Sequence, residues 1–330
     1  MRLSDFSYEL PPELVAQQPA ERRDRARLMV LGERIEHRLF SELPEYLGQG
    51  DVLVLNNTKV LRARLRGRKR TGGRAELLVL RRLGEMEAEC LGRRLRPGAE
   101  VELGEGFKAV VEERSGGRLR VRFSAPVERV LSKAGEVPLP PYIRQKVEPE
   151  RYQTVYASRN GSIAAPTAGL HFSQEMLSTL KNMGVELCFV TLHIGVGTFA
   201  PVRSERVEEH VMHEEWYEVS QEAAELLNRA LEEERRIFAV GTSTVRTLES
   251  VCNDGRVEAR AGTTGLFIYP GYRFRFNYAG MITNFHLPRS TPLLMVCAFA
   301  GRERILEAYR EAVRMRYRFY SFGDAMLIFR

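Results

Sequence analysis

Four segments in the second half of the chain are rich in glycine, threonine and histidine. They are residues 165–172 (A-P-T-A-G-L-H-F), 191–202 (T-L-H-I-G-V-G-T-F-A-P-V), 240–250 (V-G-T-S-T-V-R-T-L-E-S) and 282–290 (I-T-N-F-H-L-P-R-S). Small residues leave backbone N–H groups accessible to a ligand, and the His, Thr, Asn and Arg side chains add polar contacts. Each segment lies where a hydrophobic run stops, so we predict that several strand ends share one ligand pocket.

Histidine is the residue in these segments best suited to proton transfer, because its unperturbed pKa lies near neutral pH. We therefore take His171, His193 and His286 as candidate catalytic residues, with a purely structural role for all three as the alternative. The neighbouring small and polar residues are candidates for substrate binding. They are Thr167, Gly169, Gly195, Gly197, Thr198, Gly241, Thr242, Ser243, Arg246, Glu249 and Asn284.

Residues 241–246 (G-T-S-T-V-R) follow a predicted strand and open a predicted helix. Open N–H groups and the positive end of the helix dipole make such a junction suitable for a carboxylate or a phosphate. Simple N-capping by Thr242 or Ser243 is the alternative interpretation. The segment is not a Walker A loop, since the Gly-Lys-Ser/Thr sequence of that motif is absent.

Residues 195–200 (G-V-G-T-F-A) match the glycine pattern of dinucleotide-binding folds and follow a predicted strand. This match keeps a Rossmann-type oxidoreductase or methyltransferase open as an alternative function. However, Pro201 and the polar residues after it do not form the apolar helix that packs on the sheet in such a fold. We therefore predict a ligand-contacting loop here rather than a Rossmann domain.

A metal site is not expected. His210 and His213 form an H-x-x-H pair among acidic residues, but the His-Glu-x-x-His helix of metalloproteases is absent. The four cysteines are scattered, form no C-x-x-C pair and are typical of reduced cytosolic thiols. They are Cys90, Cys188, Cys252 and Cys297.

The composition is that of a soluble globular protein, with 44% hydrophobic and 28% charged residues among 330. A chain of this length can bury a large core and often forms two domains. No apolar run reaches the roughly 18–20 residues that span a bilayer, and the first residues lack the apolar core of a signal peptide. We expect a cytoplasmic protein without membrane attachment.

The hydrophobic pattern changes twice along the chain. An Arg- and Pro-rich stretch at 16–28 is predicted to be an exposed arm or loop, and the apolar run at 51–57 a buried strand. Between residues 61 and 124, about six short strands separated by Gly-rich turns indicate a small antiparallel barrel. After a Pro-rich join at 137–143, helices and strands alternate.

The predicted fold class is therefore an α/β main domain with an inserted small antiparallel β-barrel domain. The main domain comprises residues 1–60 plus 140–330, and the barrel comprises residues 61–139. Ser173 is the predicted N-cap of the first helix after the join, and Gly184 is its stop. In the main domain we predict helices at 173–183, 220–236, 242–251, 290–300 and 302–317, and strands at 185–194, 216–220, 237–240, 265–269, 280–284 and 325–329.

The positive charge of the chain is concentrated in the barrel. The whole chain carries a formal net charge of +7, whereas residues 61–130 hold 18 Arg or Lys against 10 Asp or Glu. Arg62, Arg64 and Arg66 alternate with apolar residues and therefore share one face of a strand. Contact with nucleic-acid phosphates and an ordinary solvated surface are the two interpretations.

Over essentially its whole length the chain resembles the S-adenosylmethionine:tRNA ribosyltransferase-isomerases of queuosine biosynthesis. The matching segments include F-S-Y-E-L-P-P-E-L-V-A-Q-Q-P, D-V-L-V-L-N-N-T-K-V-L-R-A-R-L, G-E-V-P-L-P-P-Y-I, G-S-I-A-A-P-T-A-G-L-H-F, T-L-H-I-G-V-G-T-F-A-P-V, H-E-E-W-Y-E-V, G-T-S-T-V-R-T-L-E-S and N-F-H-L-P-R-S. Together these segments are highly specific, and the barrel is the variable part.

The resemblance implies a fold of the predicted kind and an unusual reaction. Members of this family use S-adenosylmethionine as a ribosyl donor to 7-aminomethyl-7-deazaguanine at the wobble position of certain tRNAs. The products are epoxyqueuosine-tRNA, adenine and methionine. The expected partners are therefore tRNA and S-adenosylmethionine, with no cofactor beyond this co-substrate, no metal and a monomeric protein.

This reaction gives the candidate residues specific tasks. A base has to remove the C5′ hydrogen beside the sulfonium, and a proton donor assists the departure of adenine. We expect His171 or His193 to transfer protons and Arg246 to bind the methionine carboxylate. For the tRNA backbone we expect contacts from Arg62, Arg64, Arg66, Arg310 and Arg314. A non-catalytic RNA-binding protein that uses the basic barrel is the remaining alternative.

Overall fold

The computed structural model describes residues 1–145, 147–195, 197, 202 and 204–330. These residues form two compact units. The first unit consists of Met1–Lys59 and Pro141–Arg330, and the second consists of Val60–Pro140. The second unit is therefore an insertion in the sequence of the first.

Strands and helices alternate in the first unit, whereas the second is mostly strand. The strands are β1 (Arg27–Leu31), β2 (Ile35–Leu39), β3 (Val52–Asn56), β4 (Thr58–Val60), β5 (Arg64–Lys69), β6 (Arg74–Arg82), β7 (Glu87–Gly92), β8 (Glu100–Leu103), β9 (Lys108–Ser115), β10 (Arg118–Phe123), β11 (Gly135–Glu136), β12 (Arg159–Ser162), β13 (Glu186–Leu192), β14 (Glu215–Val219), β15 (Ile237–Val240), β16 (Cys252–Asn253), β17 (Arg256–Val257), β18 (Arg260–Thr264), β19 (Gly280–Asn284) and β20 (Ala325–Phe329). The α-helices are α1 (Val127–Ala134), α2 (Gln174–Asn182), α3 (Gln221–Glu232), α4 (Thr242–Val251), α5 (Thr291–Ala300) and α6 (Arg302–Arg314). Short 3-10 helices lie at Leu3–Phe6, Pro12–Leu14, Arg23–Arg25, Phe40–Tyr46, Gly104–Gly106, Pro149–Tyr152, Thr167–His171 and Val207–Glu209.

Within the described residues, the first unit is built on a nine-stranded mixed sheet in the order β18-β14-β13-β3-β15-β19-β20-β1-β2. At its centre, β13, β3, β15 and β19 run parallel. All residues of β3 (V-L-V-L-N) are buried, as expected for a strand covered on both faces. Because successive side chains point to opposite faces, Val52 and Val54 pack in one core cluster and Leu53 and Leu55 in another. Helices α3 to α6 contribute to the first cluster and α2 to the second.

The second unit is a closed antiparallel barrel. Among the residues that the structure describes, six strands follow the order β5-β6-β7-β10-β9-β8, and β8 pairs again with β5. Alternation along each strand turns one face inward, and Leu65, Leu77 and Val121 are examples of its buried core. Gly67 permits closure of the barrel, because a Cβ there would lie 2.2 Å from the carbonyl oxygen of Glu102 on β8.

The predicted fold class, an α/β main domain with an inserted antiparallel barrel, is confirmed. The strands predicted between residues 61 and 124 correspond to β5 to β10, although β5 begins only at Arg64. Helix α4 has the predicted bounds. Ser173 is the N-cap of α2, where its hydroxyl accepts a hydrogen bond from the Met176 N–H at 3.2 Å.

Two structural predictions for the first unit are wrong, the second of them in part. Residues 265–269 form no strand; the polar segment Arg260–Thr264 pairs with β14 instead, at the edge of the sheet where one face stays exposed. The apolar residues 266–268 line a cleft rather than a sheet. The exposed arm or loop predicted at 16–28 is wrong in part, because Ala16 and Ala26 are buried and β1 already begins at Arg27, although Arg22 and Arg25 are exposed.

Candidate active site

The carboxyl ends of the parallel strands meet at one edge of the main sheet. β3 ends at Asn56, β13 at Leu192, β15 at Val240 and β19 at Asn284. Because these strands are parallel, the residues that follow them come together at this edge. Three of the four Gly/Thr/His-rich segments lie at the ends of β13, β15 and β19. The fourth, residues 165–172, contains the 3-10 helix Thr167–His171, which contacts β19.

A cleft of about 870 Å³, open to solvent, lies at this edge. All four Gly/Thr/His-rich segments contribute to its wall. The predicted site residues that line it are Thr167, Gly241, Thr242, Ser243, Arg246, Asn284 and His286. Apolar side chains form another part of the wall, namely Met212, Leu266, Phe267, Ile268 and Met295. The combination of an apolar wall with a few polar groups is typical of a small-molecule site.

The N-terminus of α4 opens into the cleft without a side-chain cap. Its N-cap is Gly241, with a positive φ of 87°, and no side chain accepts from the first turn. Ser243 is occupied elsewhere, since its Oγ accepts a hydrogen bond from Asn56 Nδ2 at 3.0 Å. The alternative of N-capping by Thr242 or Ser243 is therefore wrong. The open N–H groups and the helix dipole make this turn suitable for an anion.

Arg246 is held inside the protein and does not present a free positive charge. Its Nη1 donates to the Glu215 carboxylate, and its Nε and Nη2 donate to backbone carbonyl oxygens at 3.0 and 3.1 Å. The second Glu215 oxygen accepts from the Gly195 N–H at 2.7 Å. The side chains of Arg246 and Glu215 are only 7% and 3% exposed. The expectation that Arg246 binds the methionine carboxylate needs revision, because its charge is already neutralised in the cleft wall.

His286 lines the cleft and is held in a fixed position. Its Nε2 lies 2.9 Å from Thr283 Oγ1. Its backbone is held from both sides: the N–H donates to the Tyr309 hydroxyl at 3.0 Å, and the carbonyl oxygen accepts from the Tyr8 hydroxyl. Burial lowers the pKa of His286 to about 3. The imidazole is therefore neutral at pH 7, and burial opposes its protonation.

His171 and His193 lie outside the cleft lining. His171 is buried against Phe40 and lines a second cavity, and burial lowers its pKa to about 4. His193 stacks on Trp216 with ring centroids 4.8 Å apart, and its Nδ1 lies 2.8 Å from Thr58 Oγ1. Burial, with a contribution from the charge of Arg159, lowers the pKa of His193. Of the three candidate histidines, the structure brings His286 to the cleft.

Several other candidate substrate residues have structural contacts instead. The buried Glu249 carboxylate accepts from two tyrosine hydroxyls and two backbone N–H groups of residues 272–278. A Cβ on Gly169 would lie 2.0 Å from the Tyr156 hydroxyl oxygen, and one on Gly197 would lie 2.4 Å from His213. These contacts account for all three residues without a ligand. Thr198 lies outside the described residues.

Sequence reasoning missed part of the cleft. Tyr320 and Ser321 line it from the loop before β20, and Glu215 contributes from the start of β14. The S-F-G-D segment at 321–324 has the small-residue signature of the other segments and precedes a strand rather than following one. Asn284 lines the cleft, and its buried Oδ1 has no hydrogen-bond partner among the described residues.

The predicted tRNA-binding arginines differ in their surroundings. In the barrel, Arg62 is exposed, whereas Arg64 and Arg66 both pair with Glu76, at 3.6 and 3.8 Å. On α6, Arg310 is exposed and Arg314 donates to Glu311. Nothing in these contacts tests the role in tRNA binding, which stays a prediction.

Among the described residues, no three or more His, Cys, Asp or Glu side chains are grouped so that they could hold a metal ion. The expectation that no metal is needed stays a prediction. Likewise, no described helix is long and apolar enough to cross a membrane.

Comparison with known proteins decides the family. The family model described as "Queuosine biosynthesis protein" matches residues 3–328. The chain belongs to this family. A curated relative from Carboxydothermus hydrogenoformans, named S-adenosylmethionine:tRNA ribosyltransferase-isomerase, is 51% identical over 99% of this chain and 100% of its own length. A relative of the same name from Moorella thermoacetica is 53% identical with the same coverage.

A solved structure agrees with this assignment. The crystal structure of S-adenosylmethionine tRNA ribosyltransferase from Thermotoga maritima is 42% identical, with a TM-score of 0.59. The match covers 98% of this chain and 100% of the other. The resemblance seen in the sequence is therefore confirmed, and the chain is an enzyme of queuosine biosynthesis. The Rossmann-type enzyme and the non-catalytic RNA-binding protein find no support.

Proposed function

We propose that the cleft at the carboxyl edge of the main sheet carries out the S-adenosylmethionine:tRNA ribosyltransferase-isomerase reaction. The ribosyl part of S-adenosylmethionine is transferred to 7-aminomethyl-7-deazaguanine in tRNA and isomerised to epoxyqueuosine, with release of adenine and methionine. The observation that carries this assignment is the cleft itself, where an uncapped helix N-terminus, a neutral histidine and an apolar wall adjoin. The full-length family match selects this reaction among those that such a cleft could serve.

The parts of S-adenosylmethionine correspond to different parts of the wall. The methionine carboxylate fits the open N–H groups at the start of α4, where the helix dipole favours an anion. The adenine ring fits against the apolar side chains of Phe267 and Met295. The unpartnered Oδ1 of Asn284 suits a hydroxyl or amino donor of the substrate. We assign Arg246 the task of positioning the cleft wall through Glu215.

We assign proton transfer in the cleft to His286. The reaction needs a base for the C5′ hydrogen beside the sulfonium and a proton at the departing adenine. A neutral imidazole has one unprotonated ring nitrogen that can accept a proton, and the burial that lowers its pKa makes it return that proton readily. Thr283 Oγ1 and the two tyrosine hydroxyls at the His286 backbone hold the ring and its main chain in place.

For the tRNA, the loops at one end of the barrel are better placed than the strand face predicted from sequence. Lys69 Nζ donates to the Arg94 carbonyl oxygen at 2.7 Å, and Arg114 donates to the Leu95 carbonyl oxygen at 3.3 Å, so these loops lie together. Four exposed arginines here have no carboxylate within ion-pair distance among the described residues. They are Arg70, Arg93, Arg94 and Arg96. We propose that they contact tRNA phosphates together with Arg62, Arg310 and the other predicted arginines, and that the protein acts as a monomer in the cytoplasm.

The test uses the purified protein with S-adenosylmethionine and tRNA that carries the aminomethyl-deazaguanine base. Chromatography measures adenine and methionine, and mass spectrometry measures the tRNA product. We expect both small molecules to appear only with the modified tRNA, in a one-to-one ratio. Methyl transfer to the tRNA, or no turnover at all, would contradict the proposal. Chelation is expected to leave turnover unchanged, and activity restored only by added metal would contradict that part.

Histidine variants test the assignment of the proton-transfer residue. We expect His286→Gln to lower turnover by roughly 10²–10⁴-fold, because the cleft loses its titratable group. His171→Gln and His193→Gln are expected to lose less, and His37→Gln, which lies outside the cleft, is the matched control. Circular dichroism verifies folding for each variant. A larger loss at His171 or His193 than at His286 would return the role to those residues.

A further inference from the structure

A second, smaller cavity in the first unit is partly open to solvent, encloses about 290 Å³ with the solvent at its mouth included, and is lined by three arginines. Arg23 comes from the Arg-rich stretch near the N-terminus, Arg151 from the 3-10 helix Pro149–Tyr152, and Arg318 from the segment before β20. His171 also lines it. Ser321 lines both this cavity and the larger cleft, so the two are neighbours. The proposed chemistry in the cleft does not use any of the three arginines.

The arginine side chains are fixed by backbone carbonyl oxygens. Arg23 donates to Leu170 at 3.0 Å and to Glu150 at 2.8 Å, Arg151 donates to Ala20, and Arg318 donates to Gln18 at 3.4 Å. A guanidinium carries about five N–H donors. These carbonyl bonds therefore orient the three side chains but leave most of their N–H groups without an acceptor from the described protein.

Positive charge in the cavity exceeds negative charge. Asp324 is the carboxylate in contact, with its Oδ1 3.6 Å from Arg318 Nε, and its other oxygen is shared with Arg27. Among the described residues, neither Arg23 nor Arg151 has a carboxylate within ion-pair distance. Burial, followed by the charge of Arg151, lowers the pKa of the Arg23 guanidinium. An anion between these side chains would relieve their repulsion.

We propose that this cavity binds a backbone phosphate of the tRNA, close to the nucleotide whose base enters the cleft. The proposal rests on the proposed function. Guanidinium groups donate paired hydrogen bonds to phosphate oxygens, and three of them oriented toward one cavity form a phosphate site. Arg25, Arg144 and Arg316 are exposed on the same segments, where the carboxylates of Glu21, Glu148 and Glu150 are exposed as well. The methionine carboxylate, the other candidate anion, already has a site at the N-terminus of α4.

The test compares Arg151→Gln with Arg151→Lys, because the Arg151 side chain makes a single hydrogen bond among the described residues and is the least structural of the three. Arg304→Gln is the matched control: this half-buried arginine also donates to backbone carbonyl oxygens but lines neither cavity. Fluorescence anisotropy measures tRNA affinity over a range of salt concentrations. Calorimetry measures S-adenosylmethionine affinity, and thermal unfolding measures stability.

We expect Arg151→Gln to weaken tRNA binding about tenfold or more and to reduce the slope of log affinity against log salt by about 0.7–0.9. Arg151→Lys should keep the slope, and S-adenosylmethionine affinity should not change. Unchanged tRNA affinity and slope in Arg151→Gln would overturn the proposal, as would a loss confined to S-adenosylmethionine or equal to that of Arg304→Gln. If only the phosphate site is wrong, the wild-type protein still releases adenine in the presence of the modified tRNA. If the proposed function is wrong, the wild-type protein releases no adenine.

Discussion

One arginine ion pair in the α/β unit and one in the barrel unit lie in opposite environments. In the α/β unit, the Arg246–Glu215 pair lies in the cleft wall with side chains 7% and 3% exposed. In the barrel, Arg120 pairs with Glu87 on the outer surface, with side chains 49% and 17% exposed. Water screens the second pair and is excluded from the first. The same ion-pair chemistry therefore fixes the geometry of a site in one unit and mainly balances surface charge in the other.

This difference shows why net charge alone is a poor guide to a binding surface. Residues 61–130 carry 18 basic and 10 acidic residues, but the outer strands pair many of them. Arg118 contacts Glu89, and Arg122 contacts Glu112 and Glu87. The barrel-end loops hold four arginines without a carboxylate within ion-pair distance among the described residues, namely Arg70, Arg93, Arg94 and Arg96. In the α/β unit, which carries little net charge, three arginines converge on one cavity.

The largest expected effect comes from breaking the buried pair. We expect Arg246→Met or Glu215→Gln to lower the free energy of unfolding by about 3–5 kcal/mol, because each leaves an uncompensated buried partner. The double variant should cost less than the sum of the two, since neither charge remains. Urea denaturation measures all three. Arg120→Met in the barrel is the matched control, with an expected loss of about 0.2–1 kcal/mol. Equal losses in the two units would contradict the comparison.

The next effect concerns the histidine-dependent loss of stability between pH 7 and pH 5, which we expect only in the α/β unit because the barrel contains none of the six histidines. The pKa of His171 is about 4 in the folded protein and near 6.5 when unfolded. Above pH 6.5 both states are neutral, so the stability is independent of this group. As the pH falls from 6.5 toward 4, only the unfolded state takes up the proton, and stability is lost.

We therefore expect unfolding to become easier between pH 7 and pH 5, by about 2 kcal/mol for His171. His286, with a pKa of about 3, should behave in the same way. His171→Asn should remove its share of the pH dependence. Phe40→Leu, which removes the ring packed on His171, is the control that lowers stability equally at both pH values. A pH dependence unchanged in His171→Asn would show that this histidine is not buried in its neutral form.

Much of the fold could be predicted because it depends on local patterns. Apolar β15 followed by Gly241 determines where α4 begins, and alternation between Gly-rich turns determines β6 to β10. The apolar residues at 265–269 led to the wrong prediction of a strand, because apolar side chains are found both in the wall of a ligand cleft and in a buried sheet. Periodicity does not distinguish these two environments.

The candidate site was predictable as a set of segments but not as a set of contacts. Gly/Thr/His-rich segments after strands indicated the cleft, since parallel strands bring their ends to one edge. The partner of Arg246 is Glu215, 31 residues away on another element, and no local pattern indicates that pairing. Similarly, the Glu249 carboxylate accepts hydrogen bonds from backbone N–H groups of the loop 272–278, and no local pattern indicates these contacts. Which of the three histidines faces the cleft depends on packing rather than on sequence spacing.

The smallest effect on stability is expected for two triple arginine variants of the barrel. Comparing their tRNA binding is also the most direct test of where the barrel contacts tRNA. Arg62, Arg64 and Arg66 are the arginines predicted from sequence, but Arg64 is only 20% exposed and donates to the Leu139 carbonyl oxygen at 2.9 Å. Arg70, Arg93 and Arg94 are exposed in the barrel-end loops. Each exposed substitution to Gln should change the free energy of unfolding by less than about 1 kcal/mol.

Binding should separate the two triples, because a phosphate contact releases counterions only where the arginine is not already paired with a carboxylate. We expect the Arg70/Arg93/Arg94 triple to reduce the salt slope of tRNA binding by about 0.7–0.9 per lost contact. The Arg62/Arg64/Arg66 triple should reduce it less, since Arg64 and Arg66 are committed to Glu76 and Arg66 also contacts Glu136 at 3.4 Å. Affinity for S-adenosylmethionine should survive in both. A larger slope change in the second triple would return the tRNA contact to the strand face.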